Sequence, residues 1–252
     1  MPRALITGAS AGIGLELARE FARHGYELAL VARNRQRLEQ IAAELKPVPA
    51  IIVAKDLSLP EAPVEILREV PSTDVLVNNA GYGAFGKFAE TALPVELGMM
   101  QVNMLALVAL TKLYLPGMIA ARSGRIMNVA STAAFQPGPL MAIYYATKAF
   151  VLSFSEAIAN ELEGTGVTVT ALCPGPTATE FQQSAKMESS GLVKGKKMMD
   201  ARTVAEIGYR ALMAGKTLSI PGLKNKLLAQ SNRVSPRWMV TKVVRAMQEE
   251  VH

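Results

Sequence analysis

The strongest constraint on the fold is an alternation that runs the length of the chain. Apolar runs of strand length lie at Ala4 to Thr7, Glu27 to Ala32, Ile51 to Ala54, Val75 to Asn78, Arg125 to Val129, Val167 to Leu172 and Thr217 to Ile220, and amphipathic stretches of helical length separate them. Several runs hold consecutive apolar residues instead of apolar ones at every second position, the pattern of strands covered on both faces. Alternating strands and helices imply right-handed crossovers, so the expectation is an α/β fold with a doubly wound, parallel seven-stranded sheet. No proline-rich or glycine-serine linker and no internal repeat divides the chain, so residues 1–252 read as a single domain with a helical extension from about residue 223.

Ligands of such sheets bind outside the carboxyl ends of the strands, where strand order reverses. Five of the seven runs are followed there by residues with chemical character. After the first comes Thr7-Gly8-Ala9-Ser10-Ala11-Gly12-Ile13-Gly14, leading into a helix. Glycines let backbone approach a pyrophosphate, and a helix N-terminus offers it unpaired N–H groups. Gly8, Ser10, Ala11, Gly12, Ile13 and Gly14 are therefore candidate dinucleotide contacts. The second run ends Ala32-Arg33-Asn34, with no carboxylate for a ribose 2′-hydroxyl but a guanidinium suited to a 2′-phosphate. That favours NADP(H) over NAD(H), although Arg33 can equally open the next helix with Arg35 and Arg37. Asp56, beside Leu57 past the third run, can accept a bond from an adenine amino group or cap the helix that follows.

Tyr144 and Lys148 are four residues apart, on one face if the segment is helical. An ammonium about 5 Å from a phenol, at an effective dielectric of about 20, favours the phenolate by roughly 3 kcal/mol, or about two pKa units. That shift predicts an acid–base group. Helix geometry alone leaves Tyr145, at i−3 from Lys148, as an alternative.

With Asn78-Asn79-Ala80-Gly81 after the fourth run, the sequence resembles the compact, single-domain branch of the short-chain dehydrogenase/reductase family, which has a Rossmann fold. The resemblance rests on Thr7 to Gly14, Asn78 to Gly81, Asn103, Ser131, Tyr144, Lys148 and Pro174-Gly175, all in order, and covers residues 3 to about 221. The glycine spacing differs from that of the longer, epimerase-like members. Ser131 stands 13 positions before Tyr144, and the family pattern thereby selects Tyr144 over Tyr145. The resemblance implies that Tyr144 exchanges a proton with a carbonyl or alcohol oxygen, that Lys148 biases Tyr144 and bonds the nicotinamide ribose, and that Ser131 bonds the substrate oxygen. It implies that Asn103 holds a water linking Lys148 to solvent. Asn79, Ala80, Gly81, Pro174, Gly175, Thr177 and Thr179 would complete the cofactor site, Thr177 replacing a more typical aliphatic residue. Family members pair through the helices bearing Asn103 and Tyr144, so a homodimer or homotetramer is expected.

The family's mobile lid would lie at about residues 177–200, which include Met187, Met198, Met199, Gly191 and Gly195. Its methionines suggest an apolar ketone or 3-oxoacyl substrate. The net charge of +6 is concentrated late, since residues 186–252 carry 13 Lys and Arg against 5 Asp and Glu. The tail after Gly222 interleaves these cations with Leu223, Leu227, Leu228, Trp238, Met239, Val243, Val244 and Met247. Such a tail can pack on its own domain, on a second subunit or on an anionic membrane surface. No zinc-ligand pattern or aromatic-basic interleaving accompanies it, so no metal and no nucleic-acid partner is expected. Cys173, the single cysteine, reads as a small buried hydrophobe, and His24 and His252 lie away from every motif. One cysteine, a short apolar start and no uninterrupted apolar stretch near 18 residues favour a cytoplasmic protein. The expected activity is an NADP(H)-dependent interconversion of a secondary alcohol and a ketone. The rival readings are a non-catalytic NADP-binding regulatory or scaffold protein and a membrane-surface reductase of lipid carbonyls.

Overall fold

A computed structural model describes residues 1–181, 185, 190 and 198–249. The first half runs β1 (Arg3–Thr7), α1 (Gly12–Arg23), β2 (Glu27–Ala32), α2 (Arg35–Glu44), β3 (Ala50–Ala54), α3 (Ala62–Glu69), β4 (Val75–Asn78), α4 (Leu93–Met100) and α5 (Leu107–Ala120). The second runs β5 (Gly124–Val129), α6 (Ala142–Glu161), β6 (Val167–Leu172), β7 (Thr177–Ala178), β8 (Met199–Asp200), α7 (Ala201–Met213), β9 (Leu218–Ser219), α8 (Leu223–Val234) and α9 (Arg237–Gln248). The main sheet has seven parallel strands in the order β3-β2-β1-β4-β5-β6-β9. All seven expected runs are its strands, shifted by a residue or so at their ends. Strands β7 and β8 pair separately at the edge of the lid region. The lid positions 182–184, 186–189 and 191–197, with Met187, Gly191 and Gly195, lie outside the described residues, as does His252.

The continuous apolarity of the strands follows from two helical layers. Ala4 and Ile6 of β1 pack with Leu17, Phe21, Leu38 and Leu212 from α1, α2 and α7, whereas Leu5 between them packs with Ile66, Leu110 and Tyr114 from α3 and α5. Side chains alternate across a strand, so burying both faces requires apolar residues at consecutive positions through its middle. Helix starts follow local chemistry: the Asn34 side chain accepts from Arg37 N at 3.0 Å, and Asp200 accepts from Thr203 N at 2.8 Å.

Residues Leu93–Ala120 form one helix in which the stretch Gln101–Ala106 is a π turn, joining α4 to α5. The sequence suggests no segment able to span a membrane, but this helix is long and apolar enough by length and composition. Its apolarity has two sources. Ala106, Leu107, Leu110, Tyr114 and Met118 are buried in the domain, while Leu93, Leu97 and Leu105 are exposed on the other side.

The C-terminal helices cover the domain they belong to. Val240 and Val244 of α9 are buried against Ala133, Met141 and Tyr145, over the carboxyl end of the sheet. Of the three placements open to the tail, the structure has the first.

Candidate active site

Strand order reverses between β1 and β4, and side chains stitch the two ends together. The Thr7 hydroxyl accepts from Asn79 N (2.9 Å) and Ala80 N (3.0 Å), and Asn79 Nδ2 donates to Thr7 O at 2.9 Å. Next door, Asn78 Nδ2 donates to Asn128 Oδ1 at 2.9 Å, and Asn128 Nδ2 to Ser155 Oγ at 2.9 Å, which ties β4 and β5 to α6. These buried amides fix the ends of the strands from which the site is built.

A single cavity of about 1540 Å³ lies over this end of the sheet. Ligand sites usually enclose about 300–1,000 Å³, so this space suits two ligands side by side. One half is lined by Gly8, Ser10, Ala11, Gly12, Ile13, Arg33, Asp56, Leu57, Asn79, Ala80 and Gly81. Gly8 has φ +64°, and a Cβ there would stand 2.8 Å from Asn79 Nδ2, so neither the conformation nor the space admits a side chain. Helix α1 starts at Ala11 with no side-chain cap, which leaves its first N–H groups directed at the cavity for an anion. Gly14 is absent from the lining. A Cβ there would stand 2.2 Å from Gly8 O, so this glycine serves the close packing of α1 on the loop. Arg33 is exposed at the cavity rim, close enough to Asp56 to favour its ionised form. The Ser58 backbone N–H is the main reason that Asp56 titrates below the usual carboxylate range, and it bonds Oδ1 at 2.9 Å. Asp56 thus holds the turn ahead of α3 without capping that helix, whose N-cap is Glu61, and it remains at the cavity edge. The residues of this half fit a dinucleotide phosphate: a glycine cradle, an uncapped helix start and a rim cation.

At the junction of the two halves stand Ser131, Tyr144 and Lys148. Ser131 follows β5, where its hydroxyl accepts from Ala133 N at 3.1 Å and pairs with the Tyr144 hydroxyl. Lys148 Nζ donates to Val129 O at 2.8 Å and lies 5.8 Å from the Tyr144 ring centroid. The predicted proximity is present, but its predicted electrostatic consequence is not. Burial raises the Tyr144 pKa above the usual phenol value, outweighing the Ser131 bond, and burial lowers Lys148 to about 8. Helix spacing gives a distance and not a solvation; Lys148 is buried and Tyr144 half-buried in the cavity wall, and desolvation is the largest influence on each. Tyr145, the alternative at i−3, packs edge-on against Tyr144 with centroids 6.0 Å apart and joins the apolar cluster under α9.

Asn103 sits in the π turn, buried and outside the cavity lining. Its Oδ1 accepts from Tyr82 N at 3.1 Å, and its Nδ2 donates to Tyr82 O (3.0 Å) and Thr147 Oγ1 (3.1 Å). The side chain therefore clamps the segment after Gly81 to α6. Cys173 is fully buried, its thiol pushed up to about 12 by desolvation, in keeping with an inert hydrophobe.

Pro174, Gly175, Thr177 and Thr179 line the cavity as expected. Its other half has walls that motif reading missed. Met141 and Phe181 face Gly83, and Leu223, Leu228, Met239, Val243 and Met247 come from α8 and α9. The signal was there in the tail, where apolar residues recur at 239, 243 and 247 beside the buried row 240, 244 and 248. Two adjacent stripes on one helix indicate two surfaces to satisfy, the domain and a ligand space.

A family model described as short chain dehydrogenase matches residues 2–189. The chain is similar to a short-chain dehydrogenase from Sphingobium yanoikuyae solved with NADPH, at 31% identity over 93% of this chain and 94% of that one, with a TM-score of 0.83. It is similar to a bulky-bulky ketone specific alcohol dehydrogenase from Comamonas testosteroni, at 30% identity over 93% of each chain and a TM-score of 0.80. Among curated proteins it is 29% identical to the mouse very-long-chain 3-oxoacyl-CoA reductase, over 96% of this chain and 78% of that one.

Proposed function

Since the chain belongs to the short-chain dehydrogenase family and is an oxidoreductase of alcohol and ketone groups, we propose that it interconverts a bulky apolar ketone and its secondary alcohol with NADP(H). The observation that carries this reading is the convergence of Ser131, Tyr144 and Lys148 at the junction of one cavity, between the half with the glycine loop and Arg33 and the half with apolar walls. The bound nicotinamide supplies or receives the hydride. Tyr144 donates its proton to the carbonyl oxygen in reduction and accepts it back in oxidation. Ser131 bonds the same oxygen, where charge develops. Lys148, held by Val129 O, keeps a cation behind Tyr144 and would bond the nicotinamide ribose. Asn103 fixes the floor of this arrangement; a water relay from Lys148 would run through another atom of the π turn, because its amide is committed to Tyr82 and Thr147.

The substrate preference rests on the tail. Among the described side chains of α8 and α9, seven large apolar residues are exposed, and five of them, Leu223, Leu228, Met239, Val243 and Met247, line the cavity. A bound apolar substrate buries them, which favours this use of the tail over a membrane surface. An unbroken Ser-Tyr-Lys set argues against a non-catalytic scaffold. Assay of a ketone panel at the nicotinamide absorbance is expected to show turnover with NADPH, kcat/KM rising from acetone to bulky bicyclic ketones. Flat response to ketone size, or inactivity with every member, refutes the reading.

The exposed row Leu93, Leu97 and Leu105, with Phe150 of α6 stacked on Phe154 at 5.9 Å, supports pairing of two copies through these helices. Light scattering is expected to give a dimeric or tetrameric mass, and a monomer at micromolar concentration refutes it.

A further inference from the structure

The apolar half of the cavity also carries polar side chains, Lys224, Asn225, Ser231 and Ser235 of the α8 segment among them, and at one place they join residues of other elements. Gln136, in the loop that follows Ser131 and its short 3-10 turn, accepts a hydrogen bond from Asn232 Nδ2 of α8 at 2.8 Å. The Tyr145 hydroxyl lies against the side-chain amides of Gln136 and Gln248. Gln136, Tyr145 and Asn232 all line the cavity. Gln248, at the end of α9, is fully buried, and neither atom of its amide completes a hydrogen bond of good geometry.

A cluster of this kind is costly in an apolar wall unless its groups are bonded, and behind it the buried amide of Gln248 retains unused donors and acceptors. If its task were only to tie α8 to the Ser131 loop, leucine and methionine, which stand in the same wall at Leu228, Met239 and Met247, would serve without that cost. Polar groups that face a cavity discriminate strongly among ligands, because a ligand lacking the matching atom leaves them unpaired. The placement is suggestive in the same sense: Tyr145 adjoins Tyr144, with ring planes at 76° and centroids 6.0 Å apart, so the cluster lies one ring's width from the proton donor.

We propose that Gln136, Tyr145 and Asn232 form a second recognition point, which binds a carbonyl or hydroxyl oxygen borne by an apolar ketone on the side of its skeleton away from the carbonyl presented to Ser131 and Tyr144. The substrate class is thereby narrowed to bulky apolar ketones with two separated oxygen functions. This rests on the oxidoreductase reading above. It also accounts for the chain's combination of an apolar wall with amides from three separate elements.

The test compares 2-decalone with decalin-2,6-dione as ligands of the protein loaded with NADP+, read by titration calorimetry. Neither ketone can be oxidised, so the measurement is of binding alone. The dione is expected to bind about tenfold more tightly, beyond the twofold that a second equivalent carbonyl gives statistically. Gln136→Leu and Asn232→Leu should each bring the ratio of affinities down to the statistical value. Tyr145→Phe, which keeps the packed ring and removes only the hydroxyl, should lower it partway. The ratio is taken within each variant, so general loosening of α8 does not alter it. Affinities within twofold in the unaltered protein, a preference that survives all three changes, or no binding of either ketone overturns the proposal. Turnover does not enter this readout: a preference for the dione in a protein inactive on every ketone would refute the oxidoreductase reading and leave the recognition point standing.

Discussion

Replacing Tyr144 with phenylalanine is expected to lower ketone reduction by about a thousandfold, the usual scale of a positioned general acid, while NADPH binding changes by no more than about twofold. The substitution removes one oxygen. The ring remains packed against Phe181 at 5.3 Å and Tyr145 at 6.0 Å, so the wall of the cavity is preserved. What is lost is the proton and the bond to Ser131. Single-turnover decay of NADPH absorbance gives the chemical step directly, and retention of more than a tenth of the rate would remove Tyr144 from its assigned role. The pH dependence of the unaltered protein carries further information. Burial holds the Tyr144 pKa above the ordinary phenol value and Lys148 at about 8, so the group that titrates first as the solution is made alkaline is Lys148. In the proposed mechanism its charged form, present below pH 8, is the one that supports the reaction. The kcat/KM profile for reduction should therefore fall above pH 8, and a profile level to pH 10 would show that the ammonium is not required.

The second large effect is expected at Arg33. Changing it to alanine should weaken NADPH binding by about 10- to 150-fold, the value of 1.5–3 kcal/mol for hydrogen bonds to a charged group, and leave NADH binding within about twofold. The reason lies in what surrounds the residue. Ala32 before it provides no carboxylate, and Arg33 stands exposed at the rim of the dinucleotide half. The Asp56 carboxylate next to it is already engaged by Ser58 N at 2.9 Å. Fluorescence titration with both cofactors reads the ratio. Equal losses for NADPH and NADH would assign Arg33 a role unrelated to the 2′-phosphate.

The sheet was legible in the sequence because burial on both faces leaves a strong trace, consecutive apolar residues at the centres of β1, β2 and β4. The residues at the strand ends were legible because close backbone approach and anion binding require particular residue types at particular steps. Three features left no such trace. The position of α8 and α9 depends on what their apolar stripes meet, and a stripe specifies a face without its partner. Gly14 belongs to the glycine motif yet packs against Gly8 O instead of lining the cavity, a distinction of a few ångströms that spacing does not carry. The sign of the Tyr144 shift depends on desolvation, which a distance along a helix cannot report.

The π turn at Gln101–Ala106 makes chain length itself a determinant of the site. Each residue of a regular helix advances its azimuth by about 100°, so the wider turn offsets the phase of everything beyond it relative to α4. Deleting one residue within 101–106 would restore regular winding at the cost of that phase. Asn103 would swing away from Tyr82 and Thr147, or the buried row at Leu107, Leu110 and Tyr114 would turn out of the sheet contact. Substitutions outside the clamp residue itself can be absorbed here, but a change in the number of residues cannot, and sequence comparisons across this helix should find its length invariant even where its composition drifts.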